Sequence, residues 1–327
     1  MKLVSLFSGA GGLDIGFEQS GFKVVFANEF DRDIWETYEK NFPDTELERR
    51  SIVDIQSSEI PDCDGIIGGP PCQSWSEAGT LRGIKDHRGQ LFFEFVRILE
   101  DKKPKFFLAE NVSGMLAKRH ESALTNIKNL FSDCGYNLSV RMLNVHDYGV
   151  PQDRKRVFFV GYRKDIGKEF KFPEPITEKK TLKDAIWDLR DSDLPARAKN
   201  SSNFEQCSIQ NHEFAIGGFS TIYMSRNRVR SWDEPSYTIQ AGGRHAPIHP
   251  QAPKMEKLEK NKQIFIEGHE HLYRRLSVRE CARIQTFPDE HVFYYKNVLH
   301  GYKMVGNAVP PVMAQILSTK IFKDLTA

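Results

Sequence analysis

Residues 2–21 read KLVSLFSGAGGLDIGFEQSG, and this stretch indicates the class of fold. The apolar run from Lys2 to Phe7 predicts a strand, and the segment from Gly12 to Ser20 predicts a helix that ends before Gly21. The glycines between them predict a tight turn, because glycine adopts backbone angles that other residues avoid. A strand that passes directly into a helix is the building unit of a parallel α/β sheet.

Strand-like and helix-like segments continue to alternate through the first half of the chain. Strands are predicted over 22–28, 64–68, 105–110, 137–144 and 156–162, and helices over 31–41, 91–101 and 121–134. Asp31 is a candidate N-cap for the first of these helices. The alternation predicts an α/β layer around a mostly parallel sheet.

The sequence pattern changes after Lys164, where prolines and polar residues interrupt it. Short β-like pieces are predicted at 220–224 and 236–240, and helical patterning returns at 277–284 and 312–322. We expect a second, smaller and irregular domain in this half of the chain.

The composition is that of a globular protein of 327 residues, of which 39% are hydrophobic and 28% are charged. No run approaches the roughly 20 apolar residues of a membrane span, and the N-terminus lacks a signal-peptide pattern. Five scattered cysteines, at 63, 72, 134, 207 and 281, form no Cys-x-x-Cys pair, so we expect neither a metal site nor disulfides. Reduced thiols predict a cytoplasmic protein.

One cysteine and one glutamate follow two of the predicted buried strands. Cys72 stands in the segment GPPCQ directly after the apolar run 65–67, and Glu110 ends the apolar run 106–109. A thiol and a carboxylate at neighbouring strand ends suit attack on a pyrimidine ring. The thiolate adds to carbon 6, and the acid stabilises the charge that builds on the ring. Taken alone, a single cysteine is more often a buried structural thiol.

The glycine turn and two acidic residues predict a nucleoside site. Asp14 replaces the last glycine of the G-x-G-x-x-G pattern, which disfavours a dinucleotide because a pyrophosphate needs that turn. S-adenosylmethionine has no phosphate and does not need it. Glu29 follows the turn by about 20 residues, as a ribose-binding acid does. Asp54, expected to end a third strand, is a candidate for the adenine amino group. Singly, each feature is also typical of a tight turn or a capping residue.

Six segments, in this order along the chain, resemble the DNA (cytosine-5) methyltransferases. They are Phe-x-Gly-x-Gly-Gly at 7–12, Pro-Cys-Gln at 71–73, Glu-Asn-Val at 110–112, Gln-x-Arg-x-Arg at 152–156, Arg-Arg-Leu-Ser-Val-Arg-Glu-Cys-Ala-Arg at 274–283 and Gly-Asn-Ala-Val at 306–309. The resemblance spans the chain except for about 165–270. It implies an S-adenosylmethionine-dependent methyltransferase (Rossmann-like) α/β large domain, residues 1–165 plus 295–327, and a smaller irregular target-recognition domain, residues 166–294.

The resemblance also implies residue roles. Cys72 would be the nucleophile, and Glu110 would contact and protonate N3 of the cytosine. Arg154 and Arg156 would position the base and its phosphate, and residues 72–90 would form a mobile loop that closes over DNA. The residues implied at the cofactor are Phe7, Gly9, Gly11, Gly12, Leu13, Glu29, Phe30, Asp54, Ile55, Pro71, Leu91, Asn307 and Ala308.

Arginines concentrate in the variable segment, at 226, 228, 230 and 244. In an extended segment alternate side chains point to the same side, and arginine is the preferred reader of guanine O6 and N7. We therefore expect Arg226, Arg228 and Arg244 to read guanines. Arg230 would contact phosphate, and phosphate contacts by all four are the alternative. Segments 220–232 and 249–253 resemble those of bacterial modification methyltransferases that act on GGCC, which predicts methylation of an inner cytosine of GGCC.

The expected partners are duplex DNA and a cognate restriction endonuclease, with no membrane contact, and the enzyme is expected to act as a monomer. The target atoms lie inside the base stack, so the cytosine must be extruded. Three other functions compete: a tRNA cytosine-5 methyltransferase, a DNA-binding regulator on an inactive scaffold, and a nicotinamide enzyme. The arginine-rich segment and the lack of a Cys-Phe-Thr signature disfavour the first. The complete catalytic set disfavours the second, and the incomplete glycine pattern disfavours the third.

Overall fold

A computed structural model describes residues 1–71, 87–116 and 121–327, and the chain divides into two compact units. The first unit comprises residues 1–144, 155–175 and 313–327, and the second comprises residues 145–154 and 176–312. Residues 295–312, expected in the large domain, lie in the second unit, where the hydroxyl of buried Tyr302 donates to the carbonyl of Leu276 at 2.6 Å. The functional roles of the two units stay predictions.

The first unit is built on one seven-stranded sheet. Its strands are β1 (Lys2–Leu6), β2 (Lys23–Asn28), β3 (Glu46–Glu48), β4 (Gly65–Gly68), β5 (Phe106–Val112), β6 (Tyr136–Asn144) and β7 (Lys155–Arg163). They lie in the order β3-β2-β1-β4-β5-β7-β6, and every pair is parallel except the two that β7 makes. The prediction of a mostly parallel α/β sheet is confirmed.

Helices connect most of these strands, as parallel pairing requires. The helices of the described residues are α1 (Gly12–Glu18), α2 (Arg32–Asn41), α3 (His87–Lys102), α4 (Glu121–Asp133), α5 (Leu182–Ile186), α6 (Val278–Ile284), α7 (Val298–Asn307) and α8 (Pro311–Thr326). The predicted cap of α2 is confirmed, because the Asp31 carboxylate accepts a hydrogen bond from the backbone NH of Asp33 at 3.2 Å. No helix in the described ranges is both long and apolar enough to cross a membrane.

The apolar runs of the sequence form the buried centre of the sheet. The Phe107 ring stacks on Phe131 with 4.5 Å between centroids, and Tyr136 meets Phe107 edge-on at 5.2 Å. These three side chains are almost completely buried. Because a parallel sheet is covered on both faces, β4 and β5 are continuous apolar runs rather than alternating ones.

The strand order reverses between β1 and β4, which pair in parallel with Leu6 opposite Gly68. The chain passes from β1 to β2 on one side and from β4 to β5 on the other, so a crevice opens at their carboxyl ends. The glycine turn follows β1 at this edge, and residues 69–71 follow β4. Ligands of open α/β sheets bind at such a point, so the fold places the predicted cofactor turn and the segment that precedes Cys72 side by side.

The second unit has little regular structure beyond α5, α6 and α7. Two short strand pairs are present, parallel β8 (Leu194–Pro195) with β9 (Glu213–Phe214) and antiparallel β10 (Glu256–Glu259) with β11 (Lys262–Ile264). α6 begins with a reciprocal cap, in which the Ser277 hydroxyl accepts from the Glu280 NH at 3.0 Å and the Ser277 NH donates to the Glu280 carboxylate at 2.7 Å.

The prediction that Asp54 ends a strand is wrong. β3 stops at Glu48, and residues Ile52–Asp54 form one turn of 3-10 helix. β2 ends at Asn28, so β3 has no partner beyond that point. The Asn28 amide instead donates to the carbonyls of Glu48 and Arg50 at 3.0 and 2.9 Å, which bends the chain away from the sheet.

The predicted strands at 220–224 and 236–240 are also wrong. The Ser220 carbonyl accepts from the NH of Met224 at 2.9 Å, and this starts a turn that leads into a short 3-10 helix, Tyr223–Ser225. In the second segment Ser236 makes one isolated bridge, to Gln152. Further along, the NH and the carbonyl of Ile239 are hydrogen-bonded to the side chains of Gln152 and Arg154 instead of to a neighbouring strand.

The left-handed backbone at Gly11 predicts a position that tolerates no side chain. Its φ is 80°, and a Cβ built there would lie 2.2 Å from the Phe42 ring. We expect Gly11→Ala to lower the free energy of unfolding by about 2–4 kcal/mol, through backbone strain and the clash. Urea unfolding measures this loss. Gly114→Ala is the control, because a Cβ there meets no described atom within 4 Å. Equal losses from both substitutions would contradict the close packing.

Candidate active site

The turn after β1 holds three residues in the left-handed backbone region, Phe7 at φ 55°, Gly9 at 55° and Gly11 at 80°. This conformation is unfavourable for phenylalanine. Hydrogen bonds hold it in place, since the NH of Ser8 donates to the Asn28 carbonyl at 3.1 Å and the NH of Gly11 donates to the Ser8 carbonyl at 3.0 Å. A strained backbone that its neighbours fix is typical of a ligand site.

The Glu29 carboxylate is fixed beside this turn. Its Oε2 accepts a hydrogen bond from the NH of Gly9 at 2.9 Å, and its Oε1 accepts one from the NH of Asp31 at 2.8 Å. A carboxylate oxygen can accept more than one hydrogen bond, so this group can also bind the hydroxyls of a ribose. The next residue, Phe30, has 69% of its surface exposed and offers an aromatic face of the kind that stacks on a base.

A buried polar cluster supports the turn from the protein side. Asp14 on α1 is fully buried and accepts hydrogen bonds from the Ser5 and Tyr38 hydroxyls, both at 2.6 Å. Tyr38 stacks on Phe42 with 4.6 Å between centroids, and Phe42 lies against Gly11. Burial raises the pKa of Asp14 from 3.8 to about 6, although the two hydroxyls lower it. The cluster ties β1, α1 and α2 together around the turn.

The other residues predicted at the cofactor differ in exposure. Asp54 is exposed on its 3-10 turn, whereas its neighbour Ile55 is buried in the core. Among the rest, Pro71 and Asn307 are exposed, and Gly12, Leu13, Leu91 and Ala308 are buried or half-buried. Asn307 ends α7 in the second unit. Direct side-chain contact with a ligand is therefore open to the exposed members of this set.

Glu110 and Arg156 form an ion pair at the end of β5. The strand register places Glu110 opposite Phe158, so Arg156, two residues away on β7, points to the same face of the sheet. The Nε of Arg156 lies 2.9 Å from the Oε1 of Glu110, and the two side chains are 14% and 11% exposed. The guanidinium therefore holds the carboxylate in one orientation.

The backbone that leads towards Cys72 lies against this carboxylate. β4 and β5 are parallel neighbours, and a Cβ on Gly69 would lie 3.4 Å from the Oε2 of Glu110. The Asn111 amide donates to the carbonyl of Pro70 at 2.9 Å and so fixes the chain two residues before the cysteine. The end of β5 thus supplies both the acid and an anchor for the segment after β4.

The predicted nucleophile Cys72 lies outside the described residues, together with most of the predicted closing loop, residues 72–86. Pro71 is the last described residue before it and is exposed. The structure brings the two strand ends together, and the meeting of the thiol with the Glu110 carboxylate stays a prediction.

Arg154 is buried in the second unit, and its implied contact with the substrate stays a prediction. The residue is 1% exposed; its Nη1 donates to the carbonyl of Ile239 at 2.9 Å. Its Nη2 donates to the carbonyls of Gly306 and Ala308 at 2.8 and 3.0 Å. A Cβ on Gly306 would lie 2.3 Å from the Gln240 backbone, so the segments joined by Arg154 pack too closely for a larger residue.

Two fully buried glutamines complete this network. The Nε2 of Gln152 donates to the Oε1 of Gln285 at 2.7 Å, and the Oε1 of Gln152 accepts from the NH of Ile239 at 2.8 Å. Gln285 in turn donates to the carbonyl of Val305 at 2.8 Å. Together with Arg154, the glutamines fix the backbone on both sides of Asn307.

The three predicted guanine readers differ in exposure. Arg226 and Arg244 are exposed. Arg228 is buried, its Nε donates to the carbonyl of Tyr223 at 2.8 Å, and its guanidinium lies over the Tyr223 ring at 4.6 Å. These contacts correct the prediction that Arg226 and Arg228 point to the same side, because a 3-10 turn precedes them where a strand was expected.

Arg230, the predicted phosphate contact, is engaged within the second unit. It donates to the carboxylates of Glu234 and Asp153 at 3.0 and 3.2 Å, and its guanidinium lies over the Tyr237 ring at 4.3 Å. An arginine paired with two carboxylates is a poor phosphate ligand, so the exposed Arg226 and Arg244 are better placed for DNA.

Several residues at these sites escaped the sequence analysis. Asn111 and Gln152 stand inside the Glu-Asn-Val and Gln-x-Arg-x-Arg segments, and those motifs were a signal that could have identified them. Tyr38 and Gln285 left no such signal. Their partners are groups far away along the chain, and no local pattern marks them.

The family of C-5 cytosine-specific DNA methylases matches residues 1–323. The chain belongs to this family. It is therefore a DNA (cytosine-5) methyltransferase. The type II methyltransferase M.FnuDI of Fusobacterium nucleatum is 58% identical to it over 329 residues, covering 100% of this chain and 95% of that protein. The type II methyltransferase M.NgoPII of Neisseria gonorrhoeae is 54% identical, covering 99% and 96%.

A solved structure shares the fold of this methyltransferase. It is a DNA modification methyltransferase encoded within an E. coli prophage, with a TM-score of 0.77 and 24% sequence identity over 100% of both chains. At that level of identity the likeness concerns the fold, and it agrees with the mostly parallel sheet described above.

Buried Asp14 predicts a pH dependence of the stability of the methyltransferase. Its pKa of about 6 exceeds the ordinary value of 3.8, so the folded state binds this proton more tightly than the unfolded state. The stabilising contribution is complete below about pH 4 and is lost as the pH rises through about 6. We expect the unfolding free energy of the wild type, relative to Asp14→Asn, to fall by roughly 3 kcal/mol in total from well below pH 4 to well above pH 6. Urea unfolding across this pH range measures it. The exposed Asp44→Asn is the control, and a constant difference between wild type and Asp14→Asn would contradict the raised pKa.

Arg154→Met tests the buried network of the second unit. The substitution keeps the length of the side chain but removes the donors to three buried carbonyls. We expect the free energy of unfolding to drop by about 3–5 kcal/mol, against about 0.5 kcal/mol or less for the exposed Arg226→Met. Thermal unfolding of both variants makes the comparison. A normally stable Arg154→Met protein would contradict the structural role of this network, and failure of that stable protein to methylate DNA would support the substrate role of Arg154.

Proposed function

We propose that the enzyme transfers a methyl group from S-adenosylmethionine to carbon 5 of a cytosine in a short duplex DNA site, with Cys72 as the nucleophile. The observation that supports this most is the placement of Glu110. Arg156 orients its carboxylate at 2.9 Å, and the carboxylate lies beside the backbone of Gly69, three residues before Cys72. An acid so fixed suits proton transfer to N3 of a cytosine that a thiolate attacks.

The proposed reaction balances around the cytosine ring. The Cys72 thiolate forms a bond to carbon 6 while Glu110 protonates N3, and the electron pair of the 5,6 double bond becomes available at carbon 5. S-adenosylmethionine, when bound, supplies the methyl group from a positively charged sulfur. A water molecule takes the proton from carbon 5, and the electron pair of that C–H bond re-forms the 5,6 double bond as the bond between carbon 6 and the sulfur of Cys72 breaks. N3 returns its proton to Glu110, which restores the aromatic base.

The residues around the turn after β1 fit S-adenosylmethionine. The Glu29 carboxylate, held by the amide of Gly9, would accept hydrogen bonds from the ribose hydroxyls. The exposed Phe30 ring offers a stacking face for adenine, and the exposed Asp54 would accept from the adenine amino group. The contact of Asn307 with the cofactor, which the family resemblance implies, stays a prediction.

We propose GGCC as the target site and an inner cytosine as the methylated base. The resemblance of segments 220–232 and 249–253 to methyltransferases acting on GGCC supports this, as do two exposed arginines, Arg226 and Arg244. The loops that hold these arginines are joined, because the Tyr223 hydroxyl donates to the carbonyl of Ala246 at 2.6 Å. Arginine in the major groove reads guanine through two hydrogen bonds.

The names of its relatives support a role for this enzyme as the modification enzyme of a restriction–modification system, which protects DNA from the endonuclease of that system. The relatives at 58% and 54% identity are named type II methyltransferases. Methylation of a short site would protect DNA from an endonuclease that cuts the same site. GGCC is a palindrome, so a monomer can methylate each strand in a separate event.

Methylation of two substrates tests the proposed function. Unmethylated plasmid and unmodified tRNA are each incubated with the enzyme and S-adenosylmethionine, and 5-methylcytosine is mapped at base resolution. We expect it at an inner cytosine of GGCC in the plasmid alone. Methylation at another short site would reject the roles of Arg226 and Arg244 but keep the reaction, and methylation of tRNA alone would reject the DNA substrate.

Glu110→Gln tests the acid at N3. We expect kcat to fall by about 10²- to 10⁴-fold, with the Kd for duplex DNA changed less than about threefold, because the amide keeps the shape but cannot supply the proton. Single-turnover methylation and DNA binding measure the two effects. Cys72→Ala should abolish methylation and retain DNA binding, and the exposed Glu36→Gln is the control. Full activity of either active-site variant would refute the proposed chemistry.

A further inference from the structure

The turn that holds Asp54 is anchored on both sides. It is a single turn of 3-10 helix, Ile52–Asp54, in the first unit. Ile52 and Ile55 are 1% and 2% exposed, whereas Val53 and Asp54 project from the core and are exposed. The position of the Asp54 carboxylate therefore depends on what holds the backbone of this short turn.

Arg97 on α3 holds that backbone. Its Nη2 donates to the carbonyl of Ile55 at 2.8 Å and lies 3.5 Å from the carbonyl of Ile52. Its Nη1 donates to the Ser57 hydroxyl at 2.6 Å. One guanidinium thus contacts the chain two residues before and one residue after Asp54, as a rigid fork of donors can.

Two acids on α3 orient this guanidinium. The Oε2 of Glu94, one turn earlier, accepts from the Nε of Arg97 at 2.7 Å. Asp101, one turn later, accepts from the Ser57 hydroxyl at 2.5 Å. A cleft of about 430 Å³ opens beside this polar edge, and both Asp54 and Arg97 line it. The arginine and the carboxylate that it supports therefore face the same space.

The contacts of Arg97 differ from those of an ordinary surface arginine on a solvated helix face. Exposed ion pairs within a helix contribute little to stability, and such a pair does not require the arginine to reach another segment. Arg97 is only 33% exposed, and its Nη groups extend to the 52–57 segment instead of to solvent. Arg97 therefore bridges Glu94 of its own helix and the backbone of the turn.

We infer that Arg97 is a positioning residue for the adenine of S-adenosylmethionine, because it holds the turn from which the Asp54 carboxylate meets the adenine amino group. The inference rests on the proposed function, which places Asp54 at the cofactor. The adenine lies away from the methyl group that is transferred. Loss of its contact therefore weakens ground-state and transition-state binding equally, which raises KM and leaves kcat unchanged.

Arg97→Met in the full-length methyltransferase tests this inference, because it removes the donors and keeps the length of the side chain. We expect KM for S-adenosylmethionine and Kd for S-adenosylhomocysteine to rise about tenfold. The kcat at saturating S-adenosylmethionine and the KM for DNA should change less than about twofold. A normal KM for S-adenosylmethionine in a folded Arg97→Met protein would overturn the inference.

Arg163→Met is the matched control. Arg163 also belongs to the first unit, pairs with a carboxylate, Asp165, at 2.7 Å, and donates to a backbone carbonyl, that of Lys103. We expect its KM for S-adenosylmethionine to equal that of the wild type. A tenfold rise in the control as well would show that loss of any such arginine weakens cofactor binding, and would overturn the specific role of Arg97.

Asp54→Asn and the double variant separate positioning from a general loss of structure. If Arg97 acts through Asp54, the double variant has the KM of Asp54→Asn alone, whereas effects that multiply would overturn the inference. An unchanged KM in Asp54→Asn would reject the proposed cofactor contact itself. A raised KM in Asp54→Asn with a normal KM in Arg97→Met would reject the inference alone. Arg97→Lys keeps the charge but reaches fewer carbonyls, so we expect its KM for S-adenosylmethionine to lie between those of the wild type and Arg97→Met. If the Arg97→Met protein does not fold, Arg97→Lys takes its place in the test.

Discussion

The parallel pairing of β1 with β4 is the constraint on which the rest of the first unit depends. It sets Leu6 opposite Gly68 and places β2 and β5 on either side, so that the carboxyl ends of four strands lie along one edge. The glycine turn, Glu29 and residues 69–71 follow these strands at that edge, and Glu110 lies near the end of β5. The register of the sheet thereby gathers groups that are far apart along the chain into one crevice.

Buried polar side chains then fix the irregular backbone that surrounds the strand ends. Asp14 and Tyr38 brace the turn after β1, and Arg97 holds the 3-10 turn of Asp54. In the second unit Arg154 and Gln285 do the same for the end of α7. Both arginines and Gln285 donate to backbone carbonyls at the ends of short helices or in loops. A buried carbonyl left without a partner costs about 1–3 kcal/mol, so these loops are determined nearly as firmly as the sheet.

Arginine has two distinct uses in the second unit. Arg154 and Arg228 turn their guanidinium groups inward onto carbonyls, and Arg228 also packs on the Tyr223 ring. Arg226 and Arg244 extend outward and are exposed. The same five donors in a rigid fork serve both purposes. The amino-acid composition of residues 226–244 therefore does not distinguish an arginine that shapes the loop from one that is available to DNA. The burial of each side chain in the structure makes that distinction.

The sequence by itself determined the mostly parallel α/β sheet, the cap of α2 and membership of the methyltransferase family. Apolar periodicity, capping residues and motif order are local properties, and each can be read within a few turns or strands. Only the tertiary structure decided that Asp54 lies on a 3-10 turn, that Arg154 and Arg228 are buried, and that Arg97 supports the turn of Asp54. Except for Arg228, whose carbonyl partners lie five and six residues away, these residues depend on hydrogen bonds between a side chain and a carbonyl many residues away. Such a bond exists only once distant segments have packed, and no local pattern encodes it.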